Sequence, residues 1–147
     1  MSEFVEQKII EAVKELLTGR VNEVLGNWQF MFGIFEDSEF KSNTSIVPVV
    51  KLSGCERTEK ERIICINAYS LTISLTVPET ADSEFFCYGY SSAISKALGE
   101  NPTLWGIVNR AIVTDTKYIP PKAANCGQDW QVIITLRVTV EGTVYAR

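Results

Sequence analysis

The stretch ERIICINAYSLTISLTV, residues 61–77, decides the fold. After Glu61 and Arg62 it carries no further charge, and apolar and polar side chains alternate along it. A period of two over this length predicts a β-strand with one buried face. That face is apolar except at Asn67, and its members are Ile63, Cys65, Tyr69, Leu71, Ile73, Leu75 and Val77.

The predicted strand is long for the size of the chain. Residues 62–77 would extend roughly 50 Å at about 3.3 Å per residue, whereas a domain of this size has a radius of gyration of only about 15 Å. Either bulges bend the strand around the domain, or its ends project and expose backbone groups that another subunit would satisfy. We interpret the length as favouring oligomerisation.

The rest of the chain predicts further helices and strands. Residues 2–18 form an amphipathic helix that Gly19 ends, and residues 83–98 form a second helix that Gly99 closes in a left-handed conformation. The charged stretch 53–62 predicts a solvated hairpin turn. The predicted strands are 27–35, 46–52, 62–77, 107–119 and 130–144.

The order of these elements, α-β-β-β-α-β-β, predicts the fold class. Short polar turns between consecutive strands favour pairing of neighbours, so we predict an α+β fold: mainly an antiparallel sheet with two helices packed on one face. Pro48 marks its strand as an edge, because proline cannot complete a central ladder. The composition shows no break, and residues 1–147 are predicted to form a single domain.

Charge and hydropathy exclude several classes of partner. The net charge is −4, and the basic residues are interleaved with acidic ones, which argues against specific nucleic-acid binding. No apolar run approaches the roughly 20 residues of a membrane span. The start, MSEFVEQKII, lacks the basic and apolar regions of a signal peptide, so we expect an intracellular protein without a membrane partner.

The sequence also lacks the residues of common catalytic centres. It contains no histidine, which excludes Ser-His-Asp triads and Cys-His dyads, and it contains no phosphate-binding glycine motif. Its four cysteines form no CxxC pair. We therefore predict no catalytic, metal or cofactor site. The least implausible enzymatic alternative is a nucleophilic Cys126 activated by Lys122, and a surface thiol is the simpler interpretation.

Several side chains are candidates for a protein interface, in which tryptophan and tyrosine are enriched. Trp105 follows a Pro-Thr-Leu turn, Tyr118 and Ile119 precede two prolines, and Phe40 lies in a polar loop. The competing interpretation is that aromatic residues at the ends of elements fold back onto the core. The candidate interface residues are Phe40, Pro48, Trp105, Tyr118, Ile119 and Lys122.

The sequence resembles the tail terminator, or tail completion, proteins of long-tailed bacteriophages and prophages. The resemblance covers residues 3–141 and rests on the N-terminal amphipathic helix, the strand ending in ICINAYSLTISLTV, the second helix, the turn ENPTLWGIV and the closing strand WQVIITLRVTV. The family has no catalytic signature, so no individual functional residue is carried over from it.

The resemblance implies a non-enzymatic structural protein that assembles into a ring, typically a hexamer. Such a ring caps the tail tube and provides the joint to the head, so its partners are further copies of the chain, the tail tube protein and a head-completion or connector protein. DNA passes through the ring without specific binding. The implied location is the cytoplasm of the host bacterium during assembly and then the head-proximal end of the tail in the virion.

A second interpretation remains open. The same fold could serve as a small intracellular binding module, with a groove for a peptide or small ligand between helices and sheet. A discrete ring in solution favours the tail terminator, whereas a monomer that a ligand stabilises favours the binding module.

Overall fold

Two long strands form the centre of the sheet in the computed structural model, which describes residues 4–28, 48–59, 64–77, 83–120 and 130–143. Strand β2 (Ile64–Val77) pairs antiparallel with β4 (Trp130–Thr143) from Ile64 opposite Thr143 to Val77 opposite Trp130, without a register shift. Strand β1 (Val49–Glu59) lies beside β2, and β3 (Arg110–Ile119) lies beside β4. The order is therefore β1-β2-β4-β3.

The helices cover one face of this sheet. Helix α1 (Val5–Leu16) continues through a π-helix (Leu17–Val21) into α2 (Asn22–Asn27), and α3 (Ser83–Glu100) connects β2 to β3. The core contains buried side chains of α1 and α3 together with alternate residues of β2 and β4, among them Tyr69, Leu71, Ile73, Leu75, Val132, Ile134, Leu136 and Val138. The predicted α+β class is confirmed. The described elements follow the predicted order α-β-β-β-α-β-β except for its first strand, 27–35, most of which lies outside the described residues.

The length of the central strands is explained by projection, because both register shifts lie in the edge strands. These shifts fall between Leu52 and Gly54 in β1 and between Val113 and Asp115 in β3. Strand β3 accompanies β4 only as far as Thr139, whereas β2 and β4 continue pairing to Thr143. Strands β1, β2 and β4 therefore extend beyond Arg110, at the start of β3.

The prediction that Gly19 ends the first helix is wrong. Gly19 lies inside the π-helix, and the helical path continues to Asn27. A glycine in a helix costs about 1 kcal/mol, but the continuation buries Leu17, Val21, Val24 and Leu25, which outweighs that cost. The predicted strand 27–35 lies outside the described residues from position 29 onward, and at its start Asn27 is helical and Trp28 is 44% exposed.

Two other predicted boundaries are corrected. The stretch 53–62 was predicted to be a turn, but residues 53–59 belong to β1, which pairs with β2 until Glu59 lies opposite Cys65. Its charged side chains are compatible with a strand because β1 is an edge strand that solvent reaches. Likewise Gly99 does not close α3, which continues to Glu100. The left-handed residues come later, in the turn that delays the start of β3 to Arg110.

Candidate interaction surface

Helix α3, the edge strand β3 and the turn between them carry most of the exposed aromatic side chains among the described residues. The first half of α3 lies beside the end of β3, and its second half lies beside the start of β3. Among the described residues, β3 pairs with a strand on one side only. We call this region the α3–β3 surface, and it contains an aromatic cluster, a groove and a tryptophan-bearing turn.

The aromatic cluster lies where α3 begins and β3 ends. Tyr88 and Tyr118 meet edge to face with ring centroids 5.0 Å apart, and the Tyr118 and Ser91 hydroxyl oxygens are 2.6 Å apart. Phe85 is 65% exposed and Tyr88 is 45% exposed. Exposed aromatic groups that other contacts hold in place are typical anchors of protein interfaces, because little side-chain entropy is lost on binding.

A hydrogen bond fixes Tyr88 further. Its hydroxyl donates to Oε1 of Glu84 at 2.6 Å, and this bond to a carboxylate raises the pKa of Tyr88 above its ordinary value. The tyrosine therefore stays neutral at physiological pH, and its ring remains an apolar surface with one polar end.

The turn between α3 and β3 presents Trp105. Leu104, Trp105 and Gly106 all have positive φ, at 48°, 59° and 86°. A left-handed conformation costs a non-glycine residue roughly 1–2 kcal/mol. Leu104 is fully buried, and this burial offsets a cost of that size. The next side chain, Trp105, is consequently directed outward and is 52% exposed.

An open groove of about 280 Å³ separates α3 from β3 near this turn. It is lined by Ser95, Leu98 and Gly99 from α3, by Pro102 and by residues 110–113 of β3. The backbone N–H of Ala111 donates to the Pro102 carbonyl at 2.7 Å, which ties the turn to the edge strand. The groove exists because Ser95, Gly99 and Ala111 have small side chains at the positions where the helix faces the strand.

Arg110 lines this groove, and the exposed Lys96 follows Ser95, which also lines it. Glu100, at the end of α3, accepts hydrogen bonds from Arg20 Nε at 2.6 Å and Nη2 at 3.0 Å. This bond lowers the pKa of Glu100 below its ordinary value. Glu100 is thus already neutralised, while Lys96 and Arg110 make no ion pair with any described residue.

The three cysteines that the structure describes differ in their exposure to solvent. Burial raises the pKa of Cys87 to about 11, so its thiol stays protonated at neutral pH and is a poor nucleophile. Cys65 is buried and Cys55 is exposed, and Cys126 lies outside the described residues. Within those residues no three Cys, Asp or Glu side chains are grouped so that they could hold a metal ion.

The predicted interface residues divide into three groups. Trp105, Tyr118 and Ile119 lie on the α3–β3 surface, with Ile119 42% exposed. Pro48 is buried directly before β1, so burial argues against its role as an interface residue, although β1 lies at an edge of the sheet among the described strands. Phe40 and Lys122 lie outside the described residues.

The sequence interpretation missed Phe85, Tyr88 and the groove. Phe86 packs against the core, and neighbours in a helix do not share a face. Phe85 therefore had to point away from the core, which the sequence alone could have indicated. The groove depends on how closely α3 approaches β3, which no pattern in the sequence reports.

Comparisons with known proteins found no match, either to a family model or to a curated protein. Among the described residues, no helix has the length and apolar character needed to cross a membrane.

Proposed function

We propose that this protein is a non-enzymatic bacteriophage tail terminator. In this proposal it caps the tail tube as a ring of identical subunits, with six as the expected number, and provides the joint to the head. The observation that carries the proposal is the exposed aromatic side chains at both ends of β3, namely Trp105 at its start and Phe85, Tyr88 and Tyr118 at its end. Aromatic surfaces of this kind mark protein contacts.

The arrangement of the sheet supports assembly into a ring. A closed ring joins two different surfaces head to tail, and strands β3 and β1 lie at opposite edges of the sheet formed by the described strands. The register shifts in both edge strands interrupt regular pairing, and such shifts protect edges against continuous strand addition. We therefore expect packed side chains, rather than a long shared ladder, to dominate the contact between subunits.

The remaining expectations follow from the tail terminator proposal. The partners are the tail tube protein and a head-completion or connector protein. A net charge of −4 per subunit is compatible with DNA passing through the ring without being held, since like charges repel. The protein acts in the cytoplasm of the host bacterium during assembly and then in the virion.

Light scattering coupled to size exclusion tests the proposal over a wide range of concentrations. A discrete species near six times the 16.4 kDa subunit mass, either free or on tail tubes of the same phage, is the expected result. Trp105→Ala should weaken this assembly, whereas Trp28→Ala serves as a control at an exposed tryptophan of another element. A chain that stays monomeric both alone and with tail tubes contradicts the proposal.

The groove favours a second candidate function, a small intracellular module that binds a peptide or small ligand. Its volume of about 280 Å³ is just below the range of ligand-binding pockets, which starts at about 300 Å³, so it suits only a small ligand or a single side chain. A monomer whose melting temperature rises with a ligand, while Gly99→Leu abolishes the rise, would support this alternative over the ring.

A further inference from the structure

The side of the sheet that faces away from the helices is open to solvent. Alternate residues of β2 and β4 belong to the core under the helices, so the residues between them point to the other side. Of these, Ser70, Thr76, Gln131 and Arg137 are exposed and Ile133 is half-buried. We call this side the open face; it consists of alternate residues of 66–76 and 131–141 and the residues of β1 and β3 opposite them.

The register of the strands places four charges of alternating sign on the two edge strands of the open face. Lys51 in β1 and Asp115 in β3 end one row of paired residues. Glu56 in β1 and Arg110 in β3 end another row. All four side chains are exposed. The sign of the charge therefore alternates both along each edge strand and across the sheet.

A face with this charge pattern is complementary to itself. A second copy, turned about a two-fold axis that runs along the strands between β2 and β4, would place its β3 over β1 of the first copy. Lys51 then faces Asp115 of the second copy, and Glu56 faces Arg110 of the second copy. The symmetry repeats both contacts, so opposite charges meet at four places. Lys51, Asp115 and Arg110 make no ion pair with any described residue and are available for these contacts.

Arg137 distinguishes this axis from a two-fold axis across the strands, which would also bring opposite charges together. Arg137 lies in the row midway between the two charged rows. An axis across the strands would place Arg137 over Arg137 of the second copy, and like charges repel. The axis along the strands places Arg137 over Ser70 and Lys117 over Val49, where neither meets a like charge. The charges of the open face therefore favour the axis along the strands.

The lengths of the side chains suit the packing of two sheets. Ser70, Thr72 and Thr135 are short and lie at the centre of the face, where packed sheets approach to about 10 Å. The charged side chains on the edge strands are long enough to reach across. Packed sheets are rotated by about 30°. This rotation displaces facing edge strands by about 4 Å, which is less than the roughly 6.6 Å between successive residues of one face.

The open face is also of the size that a dimer needs. Four strands about 4.8 Å apart and the roughly 33 Å length of β3 give about 600 Å² before the relief of the side chains is counted. Stable interfaces bury about 800 Å² of accessible surface on each partner. Packing would also cover Val49, which is 48% exposed, and the half-buried Ile66, Ile112 and Ile133.

We propose that two copies of this chain form a dimer through their open faces, about a two-fold axis along the strands. Lys51 of each copy faces Asp115 of the other, and Glu56 faces Arg110. This contact goes beyond the tail terminator proposal and does not rest on it, because it uses the face of the sheet and leaves α3 uncovered. If a ring also forms, the same contact joins two rings of six into an assembly of twelve.

Sedimentation equilibrium of the full chain over a range of concentrations tests the dimer. We expect a species of twice the 16.4 kDa subunit mass that higher salt weakens. Lys51→Glu should weaken it at least about tenfold, because two attractive contacts become repulsive. Lys8→Glu makes the same change of charge on the exposed side of α1 and should leave the dimer unchanged.

Two double variants identify the facing residues. Adding Asp115→Lys to Lys51→Glu restores the opposite charges across the interface, so the dimer should recover. Adding Glu56→Lys to Lys51→Glu makes all four contacts repulsive, so the dimer should weaken further. Both double variants keep the net charge of −4, which excludes net charge as the cause of a difference. Melting temperatures show that each variant is folded.

The results separate the dimer from the proposed function. A monomer at all concentrations, equal weakening by Lys51→Glu and Lys8→Glu, or recovery with Glu56→Lys instead of Asp115→Lys overturns the proposed contact. A ring of six that Lys51→Glu leaves unchanged also overturns it, while the tail terminator proposal stands. A dimer that depends on Lys51 and does not change with tail tubes supports the contact and contradicts the ring. An assembly of twelve that Lys51→Glu converts to six supports both.

Discussion

Leu104 and Trp105 are neighbours that share a left-handed backbone conformation, yet one side chain is fully buried and the other is half exposed. The two adjacent side chains have different roles. Leu104 fixes the turn to the core, and the fixed turn holds Trp105 at the surface. Because the conformation is unfavourable for both residues, the buried contact of Leu104 is what maintains it.

Substitutions of Leu104 and Trp105 should therefore differ in their effects: the first should lower stability and the second should weaken assembly. Leu104→Ala creates a cavity and should lower the free energy of unfolding by about 2–5 kcal/mol. Trp105→Ala removes an exposed side chain and should change stability little while it weakens assembly. Urea denaturation measures the first effect, and light scattering measures the second. An equal loss of stability and assembly in Trp105→Ala would assign Trp105 to the core of the subunit.

Two glycines close in sequence should respond oppositely to alanine. Gly99→Ala adds a Cβ to open space in the last turn of α3, so it should stabilise the protein by about 0.5–1 kcal/mol. Gly106 has φ of +86°, a conformation that an L side chain rarely adopts, so Gly106→Ala should destabilise it by about 1 kcal/mol or more. Urea denaturation of the pair decides the point. A change of stability in the same direction for both variants would contradict the helical conformation of Gly99 or the left-handed conformation of Gly106.

The ion pair between Arg20 and Glu100 should make stability depend on acidity. The hydrogen bond from Arg20 lowers the pKa of Glu100 in the folded state, so the unfolded state binds the proton more readily. The pair therefore stabilises the fold above the unfolded pKa of about 4.3, and this contribution is lost as the pH falls through the folded pKa. Arg20→Gln should lower the urea midpoint at pH 7 and have little effect at pH 3.

A second exposed pair provides the control for this effect. Arg137 Nη1 lies 3.8 Å from Glu56 Oε2, and both side chains are more than half exposed. Such pairs contribute little to stability, so Arg137→Gln should leave the urea midpoint unchanged at both pH values. If Arg20→Gln behaves like this control, the bond to Glu100 has no stabilising role.

The alternation of apolar residues made β2 and β4 predictable, because side chains alternate between the two faces of a strand whichever strand it pairs with. The ends of elements were harder to predict. Gly19 and Gly99 both resemble helix terminators, yet tertiary burial carries the first helix onward and Asn101 ends α3, where its N–H bonds to the carbonyls of Ala97 and Leu98 at 3.1 Å. Local propensity is weaker than burial at such positions.

The candidate surface was predictable in part. Trp105, Tyr118 and Ile119 are recognisable because each stands at the end of an element beside a proline or glycine. Their contacts could not be predicted from the sequence, since Tyr88 and Ser91 reach Tyr118 only through the packing of α3 on β3. The ion pair between Arg20 and Glu100 also requires the structure, because the two residues are far apart in sequence.

Asn67 provides a last test, because it is the polar exception on the buried face of β2. It is 7% exposed, and its Oδ1 atom has no hydrogen-bond partner within the part of the chain that the structure describes. A buried acceptor without a partner costs about 1–3 kcal/mol. Asn67→Val removes the acceptor and adds a residue that favours strands, so it should raise the free energy of unfolding by about 1 kcal/mol. Urea denaturation of Asn67→Val and of Asn67→Asp, which would bury a charge and should destabilise, measures both directions. A loss of stability in Asn67→Val would mean that the amide makes a contact that the fold needs.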